Sequence, residues 1–167
     1  MSHFEKVSYN QYLASHMEVP FENDETRDYF TKIEYDELKV PSRATSGSAG
    51  YDFYMPYTVS VKAHEPVTVP TGIKWMAEDE KKVLLIFPRS SMGFKYGMRM
   101  ANTCCVIDAD FWRGNTEGNI LIRFVTDEDV TLEAGSRFAQ GIILDYNITH
   151  DDNATGKRVG GVGSTGT

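Results

Sequence analysis

From Ile33 onward the chain breaks into short runs rich in Val, Ile, Tyr, Phe and Thr, interrupted every 8–12 residues by Gly, Pro, Asn or Asp. Helices of ordinary length do not survive such punctuation, whereas the strands of a β-sandwich or small barrel do. YTVSVKA at 57–63 alternates with period two, PVTVPTG follows after a turn, and NILIRF at 119–124 alternates again. KVLLIF at 82–87 is continuously apolar, the pattern of a central strand, and VTLEAGSRFAQGIILDY supplies two more strands around Gly135. Residues 1–32 are polar and aromatic, and Ser8 with Gln11 has the spacing of a capping box ahead of a short helix over YNQYLASH. The expected organisation is a partly helical N-terminal extension over 1–32, a β domain over 33–146 and a C-terminal arm over 147–167.

With 167 residues, 41% of them hydrophobic, the chain can bury one substantial core. Its formal charge of -7 argues against the broad basic surface that binds a nucleic-acid backbone directly. No run approaches the roughly 18 apolar residues of a membrane span, and the N-terminus lacks a signal-like block, so a cytoplasmic protein is expected. Cys104 and Cys105 are neighbours and provide no spaced disulfide framework; the histidines at 3, 16, 64 and 150 have no zinc-type spacing. A metal would be held mainly by oxygen.

Polar islands interrupt the β pattern at five places. SGSAGYDF (46–53) sets Asp52 in a short strand, and GSRFAQGII (135–143) sets Arg137 and Gln140 in an otherwise apolar one. PRSSMGFKYG (88–97) reads as a loop leaving the central strand, where Arg89 could fork onto an anion and Ser90, Ser91 and Gly93 offer hydroxyls and amides. Serine and glycine there are also ordinary turn formers. ANTCCVIDADFWRG (101–114) puts Asp108 and Asp110 beside Phe111 and Trp112, either as carboxylates next to stacking rings or as a polar turn next to core aromatics. Gly161, Gly163 and Gly166 have GxGxxG spacing, but only Thr167 follows, so the helix that a dinucleotide fingerprint needs is missing. The tail is then either a disordered end or an arm whose glycine, Ser164 and Thr165 amides wrap phosphate oxygens, with Lys157 and Arg158 adding charge.

Taken together and in order, SAGYDF (48–53), PRSSMG (88–93), NTCCVIDADF (102–111), GSRFAQGII (135–143) and RVGGVGSTG (158–166) resemble the five motifs of the trimeric, all-β deoxyuridine triphosphate nucleotidohydrolases (dUTPases). The fold this resemblance implies is all-β, a distorted jelly roll or β-barrel with a short helical N-terminal extension and a flexible Gly-rich arm. The activity it implies is hydrolysis of dUTP to dUMP and pyrophosphate by water attacking the α-phosphorus, which limits uracil incorporation into DNA. Asp108 matches the general base, and a carboxylate of ordinary pKa, about 3.9, is ionised at neutral pH. Phe111 falls under the deoxyribose, where the family usually has Tyr. Asn102 and the backbone through Val106 and Ile107 match the hairpin that reads uracil. Ser90, Ser91 and Gly93 match contacts to the phosphate chain, with Arg89 behind or facing it. Arg158, Gly163, Ser164 and Thr165 match the lid over the phosphates. Asp52 and Gln140 match positions that order water around Mg2+, the implied cofactor. The implied partners are dUTP, dUMP and two further copies of the chain, in a homotrimer with shared sites.

The chain departs from the family at several points. Val162 stands where Phe usually covers uracil, with Trp112 a candidate substitute, and WRGNTEGN is longer than usual. Cys105 replaces a usual Gly, which implies strain of order 1 kcal/mol if that residue must take positive φ. The alternatives are a dCTP deaminase of the same fold and a nucleotide-sensing regulatory binder. Deamination needs a carboxylate on the strand after the third motif, where this chain has Arg123, a permanent cation.

Overall fold

A computed structural model describes residues 2–16 and 21–161. Eleven strands and three α-helices are formed among them: β1 His3–Lys6, α1 Tyr9–Ala14, α2 Asp24–Glu37, β2 Tyr51–Tyr54, β3 Val59–Val61, β4 Val67–Pro70, β5 Ile73–Met76, β6 Lys82–Pro88, α3 Ser90–Tyr96, β7 Arg99–Met100, β8 Cys105–Asp108, β9 Leu121–Val125, β10 Val130–Leu132 and β11 Arg137–Asp145, with a 3₁₀ turn at Phe111–Arg113. A four-stranded sheet runs β2-β11-β6-β8 and a three-stranded sheet runs β4-β9-β7; β1 pairs with β5 and β3 with β10, all antiparallel. The domain is all-β and jelly-roll-like, as expected, and β6 is central, bonded to β11 on one side and β8 on the other.

Alternation decides which side chains enter the core. Leu84 and Ile86 of β6, Ile107 of β8 and Phe138 of β11 meet Val69 of β4 and Ile122 and Phe124 of β9 in one buried cluster, closed by Trp75 and Phe53. The period-two rule then sends the intervening residues outward. Register places Asp108 opposite Val83, Val106 opposite Leu85, and Gln140 between Phe87 and Asp52, so all of these share the outer face of the four-stranded sheet.

The N-terminal segment is part of the fold rather than an appendage. β1 adds to β5, and Phe4 packs on Tyr51 and Phe53. The boundary expected at 32/33 falls inside α2, whose N-cap Asn23 accepts from the Thr26 amide while Asp24 and Glu25 occupy the favourable first turn. The helix expected from Ser8 forms as α1, and Ser8 Oγ accepts from Gln11 N. The reciprocal half of the box is supplied from afar: the Ser8 amide and hydroxyl donate to Glu117 at 2.8 and 2.6 Å, so the long loop after the 3₁₀ turn clamps α1.

Behind α1, Val7, Tyr12 and Leu38 form a second small core. Gly72 makes it possible, because its φ of +69° places a would-be Cβ within 2.9 Å of the Tyr12 ring. At its margin the buried His16 ring lies 4.4 Å from that of Tyr12 and 5.3 Å from that of Tyr57, with Nε2 3.6 Å from Glu34 Oε2. Burial pushes the Glu34 carboxyl up to about 7 and holds the His16 imidazole below its usual value. A raised carboxyl contributes stability that is full below its unfolded-state value and lost as pH rises through about 7, whereas the contribution of the lowered imidazole is full above its unfolded-state value and lost as pH falls through its lower folded-state value. Glu34→Gln is therefore expected to add about 1–2 kcal/mol at mildly alkaline pH, discounted for the partial exposure of the carboxylate. Thermal unfolding across neutral pH checks this: wild type should lose stability relative to the variant on the alkaline side, and a constant difference between them contradicts it.

Candidate functional site

Three elements build the first half of the site. β8 is the outer strand of its sheet, so its outer edge of backbone groups is unpaired, and Val106 and Asp108 project from it while Cys105 and Ile107 enter the core. The turn 101–104 carries the chain from β7 in one sheet to β8 in the other. It is tied by Ala101 N to Arg123 O, Thr103 N to Met100 O and Cys104 N to Asn102 O. The residue with left-handed backbone in this turn is Thr103, at φ 67°, and Cys105 is ordinary strand, so the strain expected at Cys105 is absent. Burial raises the thiol of Cys105 to about 11 and that of Cys104 above its usual value, which keeps both neutral and weakly nucleophilic.

A pocket of about 720 Å³ opens against this edge. Asn102, Val106, Ile107, Asp108, Phe111 and Arg158 all line it. Ile107 takes part through its backbone, because its side chain is buried in the core. Phe111 is 6% exposed and forms a floor, with the Arg158 guanidinium 5.5 Å above its ring. Arg158 also ion-pairs with Asp108, and its Nε donates to Asp110 at 2.8 Å. It is only 8% exposed, so the arm, far from being loose at this point, covers the candidate base. Val159 O accepts from Asn115 N and Gly161 packs on Thr116, which fixes the arm to the loop after the 3₁₀ turn. Trp112 does not line the pocket; its backbone is packed by Gly118 and its ring lies under Arg113, so the geometry does not support it as a cover for a base.

The second half lies at the other end of the same sheet face. Asp52 is nearly buried and both its oxygens are engaged, Oδ1 with Arg89 Nε at 2.9 Å and Oδ2 with Arg137 Nη1 at 3.1 Å. Gln140 donates to Pro88 O at 3.3 Å and packs over Gly50. Asp52 holds the two arginines and Gln140 ties the strand end, and neither is part of a direct metal cage: among the described residues no group of three or more His, Cys, Asp or Glu side chains could hold a metal ion. PRSSMG is not a loop. Arg89 N-caps α3, whose first-turn amides at Ser90 and Ser91 have no intrahelical acceptor. Gly93 differs from expectation, because its amide already donates to Arg89 O at 3.1 Å.

The two halves do not meet within one chain. Asp108 is opposite Val83 and Gln140 is opposite Phe87, about 13 Å apart along β6 at strand rise, with further strands between β8 and β2. Gly163, Ser164 and Thr165, together with Val162, lie outside the described residues. Asp110, which the sequence marks only as a carboxylate beside possible stacking rings, anchors Arg158; Pro66, Thr68 and Leu121, which no motif marks, complete the pocket wall, and the alternation of β9 is the signal for Leu121 and Arg123.

Residues 36–166 match the dUTPase family profile. The deoxyuridine 5'-triphosphate nucleotidohydrolase of Lactococcus lactis subsp. lactis is 37% identical over 142 residues, covering 81% of this chain and 93% of its own. That of Haemophilus ducreyi is 32% identical over 139 residues, 78% and 88% of the two chains. Among solved structures, the dUTPase from Streptococcus mutans superposes with a TM-score of 0.62 at 37% identity, over 68% of this chain and 91% of that one. A dUTPase from phage phi11 of S. aureus, at 18% identity and TM-score 0.58 over 70% and 90%, shares the fold.

Proposed function

The chain belongs to the dUTPase family, and from that premise we propose that it hydrolyses dUTP to dUMP and pyrophosphate. The observation that carries this reading is the position of Asp108, projecting from the free edge of β8 into a pocket floored by Phe111 and closed by a cation of the arm. In the free protein Arg158 neutralises Asp108. A triphosphate offers the guanidinium a more highly charged partner, so substrate binding draws Arg158 from the carboxylate onto phosphate oxygens. Asp108 is then released as a base, accepting the proton of a water whose oxygen attacks the α-phosphorus while pyrophosphate leaves. Positioned bases of this kind contribute about 10² to 10⁴ in rate. Phe111, once uncovered, presents a flat apolar floor to the sugar, and a ring pressed against C2′ leaves no space for a ribose hydroxyl.

A second copy of the chain completes the site. The outer face of the four-stranded sheet carries Val83, Leu85, Phe87 and Ile142, with Val106 56% and Leu144 45% exposed, an apolar surface between the two polar halves. Packing it against another copy buries that surface and brings one chain's Arg89, Ser90 and Ser91 to another's Asp108, and closed symmetry with three copies gives three equivalent sites. The arrangement of donors suits magnesium only as an ion held by phosphate oxygens and water, where it offsets phosphate charge. We place the protein in the cytoplasm, with its substrate pool; no described helix is long and apolar enough to cross a membrane. A deaminase of this fold would need a carboxylate on the strand after the third motif, and there β9 presents Arg123 to the pocket. Pyrophosphate release measured across dUTP, dCTP, dTTP and UTP tests the reading. Turnover confined to dUTP supports it, and equal turnover of UTP removes it.

A further inference from the structure

Arg123 lies at the opposite end of the pocket from the catalytic carboxylate. It occupies an outward position of β9, exposed between the buried Ile122 and Phe124, and pairs across the sheet with Thr68, which lines the same wall. Its carbonyl accepts from Ala101 N at 2.9 Å, which fixes this part of β9 beside the turn that bears Asn102. Its guanidinium has no ion-pair or hydrogen-bond partner among the described residues, whereas the other pocket arginine, Arg158, is bound to two carboxylates. Between Asn102 and Asp108 stands β8, and its four residues set the two ends about 10 Å apart, comparable to the span from an α-phosphorus to the far edge of a pyrimidine.

We propose that Arg123 is a specificity-determining residue that donates a hydrogen bond to the C4 oxygen of the uracil ring and thereby rejects cytosine. This rests on the dUTPase reading and adds a side chain to it. A guanidinium carries N–H donors and no acceptor. Uracil presents a carbonyl oxygen at C4, whereas cytosine presents an amino group there, so a cytosine in the same pose sets donor against donor and forfeits the bond that uracil accepts. Losing a hydrogen bond to a charged group changes discrimination by at least about tenfold.

The test compares wild type with Arg123→Leu and Arg123→Lys, reading kcat and KM for dUTP and dCTP and, independently of turnover, the binding of dUMP and dCMP by calorimetry. Arg123→Leu should lower the dUTP-to-dCTP ratio of kcat/KM by about tenfold or more, mainly through a higher KM for dUTP, and should erase the preference for dUMP over dCMP. Arg123→Lys, which keeps a donor, should retain part of both. A ratio within about twofold of wild type, or a parallel fall for both nucleotides as expected of a phosphate contact, overturns the proposal. Wild type that hydrolyses dUTP while Arg123→Leu discriminates equally well defeats this inference alone. Wild type that does not hydrolyse dUTP defeats the broader reading, and the monophosphate binding then still decides the role of Arg123.

Discussion

Asp108→Asn should leave the protein folded and able to bind dUTP while hydrolysis falls by about two to four orders of magnitude. The fold is expected to tolerate the change because Asp108 is an outward residue of an edge strand, with its backbone ladder to Val83 unaffected by an isosteric amide. Its partner Arg158 keeps a second carboxylate in Asp110, so the substitution does not strand a buried cation. Free of the competing charge on residue 108, Arg158 is also more available to phosphate, and dUTP affinity should hold or rise. Steady-state kinetics with calorimetric binding of a non-hydrolysed analogue separate the two effects. Activity within a few-fold of wild type would take Asp108 out of the mechanism.

The second large effect concerns complementation between two inactive proteins. Arg89→Gln/Ser90→Ala should abolish turnover from the end of the sheet face remote from Asp108, and so should Asp108→Asn from its own end. If each site takes its halves from different copies, unfolding and refolding an equal mixture restores intact sites in about a quarter of the positions at random assortment. Activity of that order in the mixture, against near-zero in either parent, is the expected result. A mixture no more active than the mean of its parents would mean that one chain supplies the whole site. The doubly engaged Asp52 makes this partner choice workable, because it keeps Arg137 when Arg89 is replaced.

What could be seen in the sequence follows from the range over which each feature is determined. The central strand β6 announces itself by an unbroken apolar run, and the outward placement of Asp108 follows from alternation once its strand is known. The cap at Ser8 is local and was legible, whereas Glu117, which completes it from 109 residues away, was not. β1 looks like a polar tail because its stabilisation comes from pairing with β5, some 70 residues distant. α2 is obscured by a mixed aromatic and charged composition without a clean stripe, and its start was marked only by Asn23 and the acids after it. α3 is masked by proline before it and glycine within it, both usual loop signals, although the glycine is accepted there with ordinary helical bonds. At the site, the motif residues were legible as residue types. That Asp52 is occupied by two arginines and that Arg158 rests on Asp108 are properties of tertiary geometry, which spacing does not encode.

The central claim is that Asp108 directs a water molecule onto the α-phosphorus of dUTP. Hydrolysis in water enriched in heavy oxygen, followed by mass spectrometry of both products, tests it directly. The label should appear in dUMP, with pyrophosphate unlabelled and formed in equal amount. Label in the pyrophosphate, or release of orthophosphate in its place, would contradict the account.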